Sequence, residues 1–159
     1  MTGKATGVVF AALALGCLAV PAAHAGKMSG SGHNAVQNVS TEVKKLPDGR
    51  QLMRLRDSQI IMGNNPGNPF HMTTLDCFST FITAPDGSAG NGTGYCQGMD
   101  KDSDLWWITW QGDFNGGTWQ FTDGTGKFKG IKGGGTYKPG VALEGGRAVN
   151  TWDGTWEMK

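Results

Sequence analysis

Turn sequences break residues 35–159 into short extended runs, and nothing else in the chain constrains the fold as tightly. Pro47-Asp48-Gly49-Arg50, Pro85-Asp86-Gly87-Ser88, Asp113-Phe114-Asn115-Gly116-Gly117 and Asp123-Gly124-Thr125-Gly126 all carry residues that preset φ, tolerate positive φ or bond their own backbone. Between them, and between the loops 63–69 and 138–146, lie runs at 39–46, 51–62, 70–83, 90–97, 105–111, 118–122, 127–137 and 147–158. About eight short strands at this spacing predict an all-β sandwich or barrel, with no helix in the domain. Closing such a sheet into an antiparallel barrel removes its exposed edges.

Glycine reinforces that reading. The chain has 27 glycines in 159 residues, about 17%, against an average near 7%. They gather at the turns and in the run 130–135, where missing side chains permit bending or close approach of a ligand.

Residues 1–25 read as a secretory leader. Lys4 supplies the positive start, Gly7–Val20 is apolar throughout, and Ala23-His24-Ala25 is a cleavage pattern. The apolar stretch is shorter than the roughly 20 residues of a bilayer span, so no membrane-spanning anchor is expected. The predicted product is secreted or periplasmic, cleaved after Ala25. It has a flexible tail over residues 26–34 and a barrel domain over 35–159.

Cleavage also changes the cysteine arithmetic. Cys17 leaves with the leader, and Cys77 and Cys96 remain. Cys77 stands nine residues before Asp86 and Cys96 nine residues after Gly87, so a hairpin centred there places them face to face. Opposed residues on paired strands lie about 4.5–5.5 Å apart at Cβ, close to disulfide distance. In an exported chain a disulfide is the expected chemistry.

Charge excludes one class of partner. Lys and Arg total 14, Asp and Glu total 13, and the net charge is +1. Nucleic-acid binding proteins usually carry a basic face, so no nucleic-acid partner is expected.

The richest stretch for chemistry is Leu105-Trp106-Trp107-Ile108-Thr109-Trp110-Gln111. In a strand Trp106, Ile108 and Trp110 face one way and Leu105, Trp107 and Thr109 the other. One set lines a barrel interior and the other is covered or exposed. The candidate ligand-binding residues are Phe78, Trp106, Trp107, Thr109, Trp110 and Trp119. Trp152 and Trp156 enlarge the aromatic interior.

Other motifs resolve to turns. Asp100-Lys101-Asp102-Ser103-Asp104 has alternating carboxylates, but Leu105 and Gln111 stand where an EF-hand needs Gly and Glu. It reads as a solvated acidic turn, with no metal. Gly124-Thr125-Gly126-Lys127 lacks phosphate-loop spacing and a following helix. Neither HExxH nor G-x-S-x-G occurs, and no cofactor is expected. Arg54 and Arg56 share one strand face and read as a charged exterior. Asp76 shares a face with Phe78 and Ile82; a carboxylate among apolar neighbours has a raised pKa and can act as acid or base. The catalytic candidates are therefore Asp76, with His71 and Tyr95 behind it.

The stretch Gly124-Thr-Gly-Lys-Phe-Lys-Gly-Ile-Lys-Gly-Gly-Gly-Thr-Tyr137 resembles the glycine-rich segment of bacterial secreted proteins with an allene oxide cyclase-like barrel. A shorter form occurs in dirigent proteins. Cys77, Cys96, the acidic turn 100–104 and Trp152-x-Gly154-x-Trp156 agree with the resemblance, which covers about residues 70–159. It implies an eight-stranded antiparallel barrel with an apolar cavity, used in the family to shape a flexible substrate during cyclisation or to orient radicals. No catalytic residue of the plant cyclase transfers by position.

Three functions follow as expectations. The first is a barrel binding a small hydrophobic molecule. The second is a cofactor-independent isomerase or cyclase of the allene oxide cyclase-like type. The third is an envelope protein that self-associates into homo-oligomers.

Overall fold

The computed structural model describes residues 26–159, so the expected leader lies outside the described residues. Eight strands follow in order: β1 (Lys27–Lys45), β2 (Gln51–Gly63), β3 (Thr73–Thr83), β4 (Gly90–Met99), β5 (Leu105–Asp113), β6 (Gly116–Gly124), β7 (Lys132–Leu143) and β8 (Arg147–Glu157). Each pairs antiparallel with the next, and β8 returns to pair with β1, so the sheet closes into a barrel.

The Asp86-Gly87 turn sets the register of β3 and β4 as its sequence predicts. Gly87 takes a φ of +77°, which glycine adopts without steric cost. Cys77 therefore faces Cys96, and their sulfurs are bonded. Phe78 faces Tyr95 in the same register.

Three expected boundaries move. Residues 27–34, expected as a flexible tail, form the first half of β1 and pair with β8 from Lys27–Glu157 onward. Their polar, glycine-rich sequence conceals a strand that exists because β8 would otherwise be an unpaired edge. Residues 70–72 are turn rather than strand, and β3 starts at Thr73. On the far side, residues 127–131 do not open a strand. A single 3-10 turn (Gly126–Phe128) intervenes, and β7 runs on through the expected loop to Leu143. Pro139 is tolerated there because the β7–β8 pairing shifts between Pro139 and Ala142.

Alternation along the strands separates the inner and outer walls. On β4 the inner positions are Gly90, Gly92, Gly94, Cys96 and Gly98, so this strand offers almost no side-chain bulk to the interior. Large rings from its neighbours occupy the space. A Cβ at Gly92 would strike Phe81, one at Gly94 would overlap Trp110, and one at Gly98 would overlap Trp106. Gly154 on β8 seats Trp119 in the same manner. Glycine on one strand makes room for a large ring from another.

One end of the barrel is plugged. Phe70, 3% exposed, hangs from the β2–β3 loop with its ring centroid 5.0–5.4 Å from those of Trp106, Phe121, Phe128 and Trp156. Phe128 comes from the 3-10 turn and is wholly buried.

The motif around Lys127 fastens this plug. Asp100 Oδ1 accepts the N–H groups of Asp102 and Asp104, and Asp104 Oδ2 accepts that of Lys127. Thr125 Oγ1 accepts the Leu105 N–H at 2.8 Å, and Lys127 Nζ pairs with Asp100. Gly126 has a φ of +49°, and a Cβ there would overlap the Asp104 carboxylate. The acidic turn and the glycine-rich turn are thus two halves of one clasp.

Burial works against the Asp100 charge. Even so, the Lys127 ammonium and the two backbone N–H groups hold its carboxyl below the ordinary carboxylate range. A lowered pKa stabilises the fold above the unfolded value, near pH 4, and that stability is lost as pH falls through the folded value. Lys127→Met is therefore expected to lower the unfolding midpoint in urea at pH 7 and to flatten its acid dependence. Equal midpoints for variant and parent at pH 7 would show the clasp to be idle.

Candidate functional site

The opposite end of the barrel leads into a cavity of about 350 Å³. That lies within the usual range for small-molecule pockets. Its floor is the plug, through Phe70 and Trp106, and its mouth is set by Leu55, Phe81, Phe114 and Pro139.

The wall has two chemistries. Strands β5 to β8 contribute Trp106, Trp110, Trp119, Phe121, Tyr137 and Trp152. Across the barrel, β1 and β2 contribute a polar strip. Asn34 Nδ2 donates to Gln59 Oε1 at 2.9 Å, and Gln59 Nε2 donates to Asp57 Oδ1 at 2.6 Å. Asn150, the register partner of Asn34, extends the strip onto β8. The Cys77–Cys96 disulfide lies beside it, with Cys77 Sγ 3.5 Å from Gln59 Nε2.

Several polar atoms here lack partners among the described residues. Asn34 Oδ1 and the indole nitrogens of Trp106 and Trp152 are buried without a hydrogen bond. Unpaired buried groups are costly, so they mark places where a ligand's polar atoms gain most.

Asp57 is the titratable group at the centre of the strip. Burial pushes its carboxyl above the ordinary carboxylate range; the hydrogen bond from Gln59 pulls it down, and the nearby Asp76 charge adds to the rise. Tyr137 is pushed up to about 12 by burial and by Asp113. The cavity therefore holds an acid with a raised pKa and a phenol that stays neutral at physiological pH.

The expected site residues divide cleanly. Trp106, Trp110 and Trp119 line the cavity. Trp107 and Thr109 alternate to the outer face, where Trp107 Nε1 donates to Gln97 Oε1 at 3.2 Å. Phe78 is 55% exposed, with the Arg56 guanidinium 5.5 Å above its ring. Asp76 and Tyr95 also point outward and are exposed. His71 sits in the β2–β3 loop, with Nδ1 3.2 Å from the Gly63 carbonyl oxygen.

Asp76, His71 and Tyr95 thus stay outside the cavity. Odd positions of β3 turn inward, which places Cys77 and Ser79 inside and Asp76 and Phe78 outside. The acid inside is Asp57. The alternation in 51–62 carries its signal: if Arg54 and Arg56 face solvent, then Leu55, Asp57, Gln59 and Ile61 face the interior.

No family model and no curated protein matches the chain significantly. Among solved structures, the pterocarpan synthase dirigent protein GePTS1 aligns over 96% of this chain and 99% of its own, with a TM-score of 0.52 and 10% identity. The fold is the dirigent-type barrel. The pterocarpan synthase dirigent protein PsPTS1 aligns over 84% of this chain and 96% of its own, also at 0.52 and 10%. A pyocyanin demethylase is matched over 84% and 98%, with a TM-score of 0.40 and 18% identity. At these identities the likeness is one of fold. Within this dirigent-type barrel, the chain's cavity is built from glycine-seated tryptophans and a polar strip.

Proposed function

We propose that the protein is an exported barrel that binds a small hydrophobic molecule in its aromatic-lined cavity. The observation that carries this reading is the cavity itself, walled by aromatic rings and closed beneath by the Phe70 plug. Export is supported by the leader-like residues 1–25 and by the disulfide, a bond typical of oxidising compartments. With four tryptophans in its wall, the cavity reports its own occupancy.

Titration of intrinsic fluorescence with terpenoids, phenolics and fatty acids is expected to give saturable quenching by at least one class. Gly94→Val forces the Trp110 indole into the cavity and should weaken that binding about tenfold or more, while the variant stays folded by circular dichroism. If no class perturbs the emission, the reading fails.

A cofactor-independent isomerase or cyclase is the second reading, favoured by Asp57. Burial raises the pKa of this carboxyl, which favours its acting as a general acid or base, and the cavity excludes water around a flexible substrate. The dirigent proteins of the same fold are named as pterocarpan synthases. Asp57→Asn would then abolish turnover of a bound substrate.

A further inference from the structure

The charges that reach the cavity are of one sign. Asp57 lies within it and Asp113 at its mouth, and no Lys, Arg or His lines it among the described residues. Gln59 supplies a single N–H to the Asp57 carboxylate. A buried carboxylate without a cation is unfavourable, and either a proton or an arriving counter-charge relieves it. The rings of Trp106, Trp110, Trp119 and Trp152 line the same cavity, and indole faces attract cations. The unpaired acceptor Asn34 Oδ1 adds a third preference for a positively charged or N–H-bearing ligand.

We infer that this cavity selects organic cations, namely flat aromatic or quaternary nitrogen compounds, over hydrophobic carboxylates of similar size. The inference rests on the proposed binding of a small hydrophobic molecule and names its chemical class. The positive nitrogen would lie between Asp57 and the indole wall. The unpaired indole N–H groups of Trp106 and Trp152 take a neutral oxygen or nitrogen of the same ligand. A fatty acid or other anionic lipid would instead bring a second negative charge beside Asp57 with no base to meet it.

Three tricyclic probes of similar shape separate the possibilities: 10-methylacridinium, neutral 9-methylanthracene and 9-anthracenecarboxylate. Each is titrated into the folded protein by tryptophan fluorescence at low and at physiological salt. The cation should bind at least tenfold tighter than the neutral probe, and the anion at least tenfold weaker. Asp57→Asn should erase the preference for the cation while leaving the neutral probe within about twofold. Asp113→Asn, at the mouth, should reduce it less. Gly94→Val should weaken all three, which places them in the cavity rather than on the outer wall.

A second readout needs no variant. The methylacridinium charge does not titrate, so its binding should fall as pH drops through the Asp57 pKa. The other ionisable groups that share that space are Asp113, at the mouth, and Tyr137, which stays neutral. Asp76 and Arg56 lie on the outer faces of β3 and β2. Neutral or anionic probes binding as tightly as the cation would overturn the inference and leave the cavity reading intact. Silence from all three probes would count against the cavity reading itself, and the inference would go with it.

Discussion

Phe70→Ala is expected to destabilise the barrel by about 3–5 kcal/mol, the usual range for a buried aromatic cut to a methyl group. The side chain is 3% exposed and sits at the centre of four other rings, so its removal leaves a void that rigid indoles cannot fill. Each lost ring pair adds roughly 0.5–1.5 kcal/mol to the area term. In a domain of this size the midpoint of thermal unfolding should drop by roughly 10–15 °C. Urea unfolding followed by tryptophan emission measures the loss directly. A cost below about 1 kcal/mol would mean that the closed end is not the core. The same variant should deepen the ligand cavity, because Phe70 is its floor.

The second large effect belongs to the disulfide. Replacing Cys77 and Cys96 together by alanine should cost roughly 3 kcal/mol, the chain-entropy value for a short loop; their sequence separation is 19. Both residues are almost fully buried, at 2% and 1% exposure, so a reductant reaches the bond only when the β3–β4 hairpin opens. The native protein should therefore resist dithiothreitol and lose its disulfide once unfolded in urea. Rapid reduction of the native protein, or a double variant as stable as the parent, would contradict this account.

These two effects follow from features of different legibility. The disulfide could be read from residue numbers, because a hairpin turn fixes which residues oppose each other. The plug could not. Phe70 looked like the start of a strand, whereas it is a turn residue swung under the barrel by hydrogen bonds such as that from its own N–H to Asn68 Oδ1 at 2.9 Å. Likewise, Gly124–Lys127 read as a turn in isolation. Its partner, the acidic turn at 100–104, is twenty or more residues away, and only folding joins the two.

The candidate site was half legible for the same reason. Trp106, Trp110 and Trp119 were recognisable as interior aromatics, but Trp107 and Thr109 on the opposite face were indistinguishable from them by composition. Alternation says which residues share a face; it does not say which face is inside. That ambiguity is why the face shared by Asp76, Phe78 and Ile82 suggests an interior acid in sequence, while Asp57 goes unmarked. A neighbouring pair of arginines that had to face solvent carried the better evidence.

By itself the sequence determined the strand count, the antiparallel order, the β3–β4 register and the disulfide. All of these depend on turn chemistry and period-two alternation, which are local. Tertiary structure alone decided that residues 27–34 complete the barrel, that Phe70 and Phe128 plug one end, and that Asp57 rather than Asp76 meets the cavity. Each of those depends on what lies across the barrel, and ring closure brings together residues that no local pattern connects.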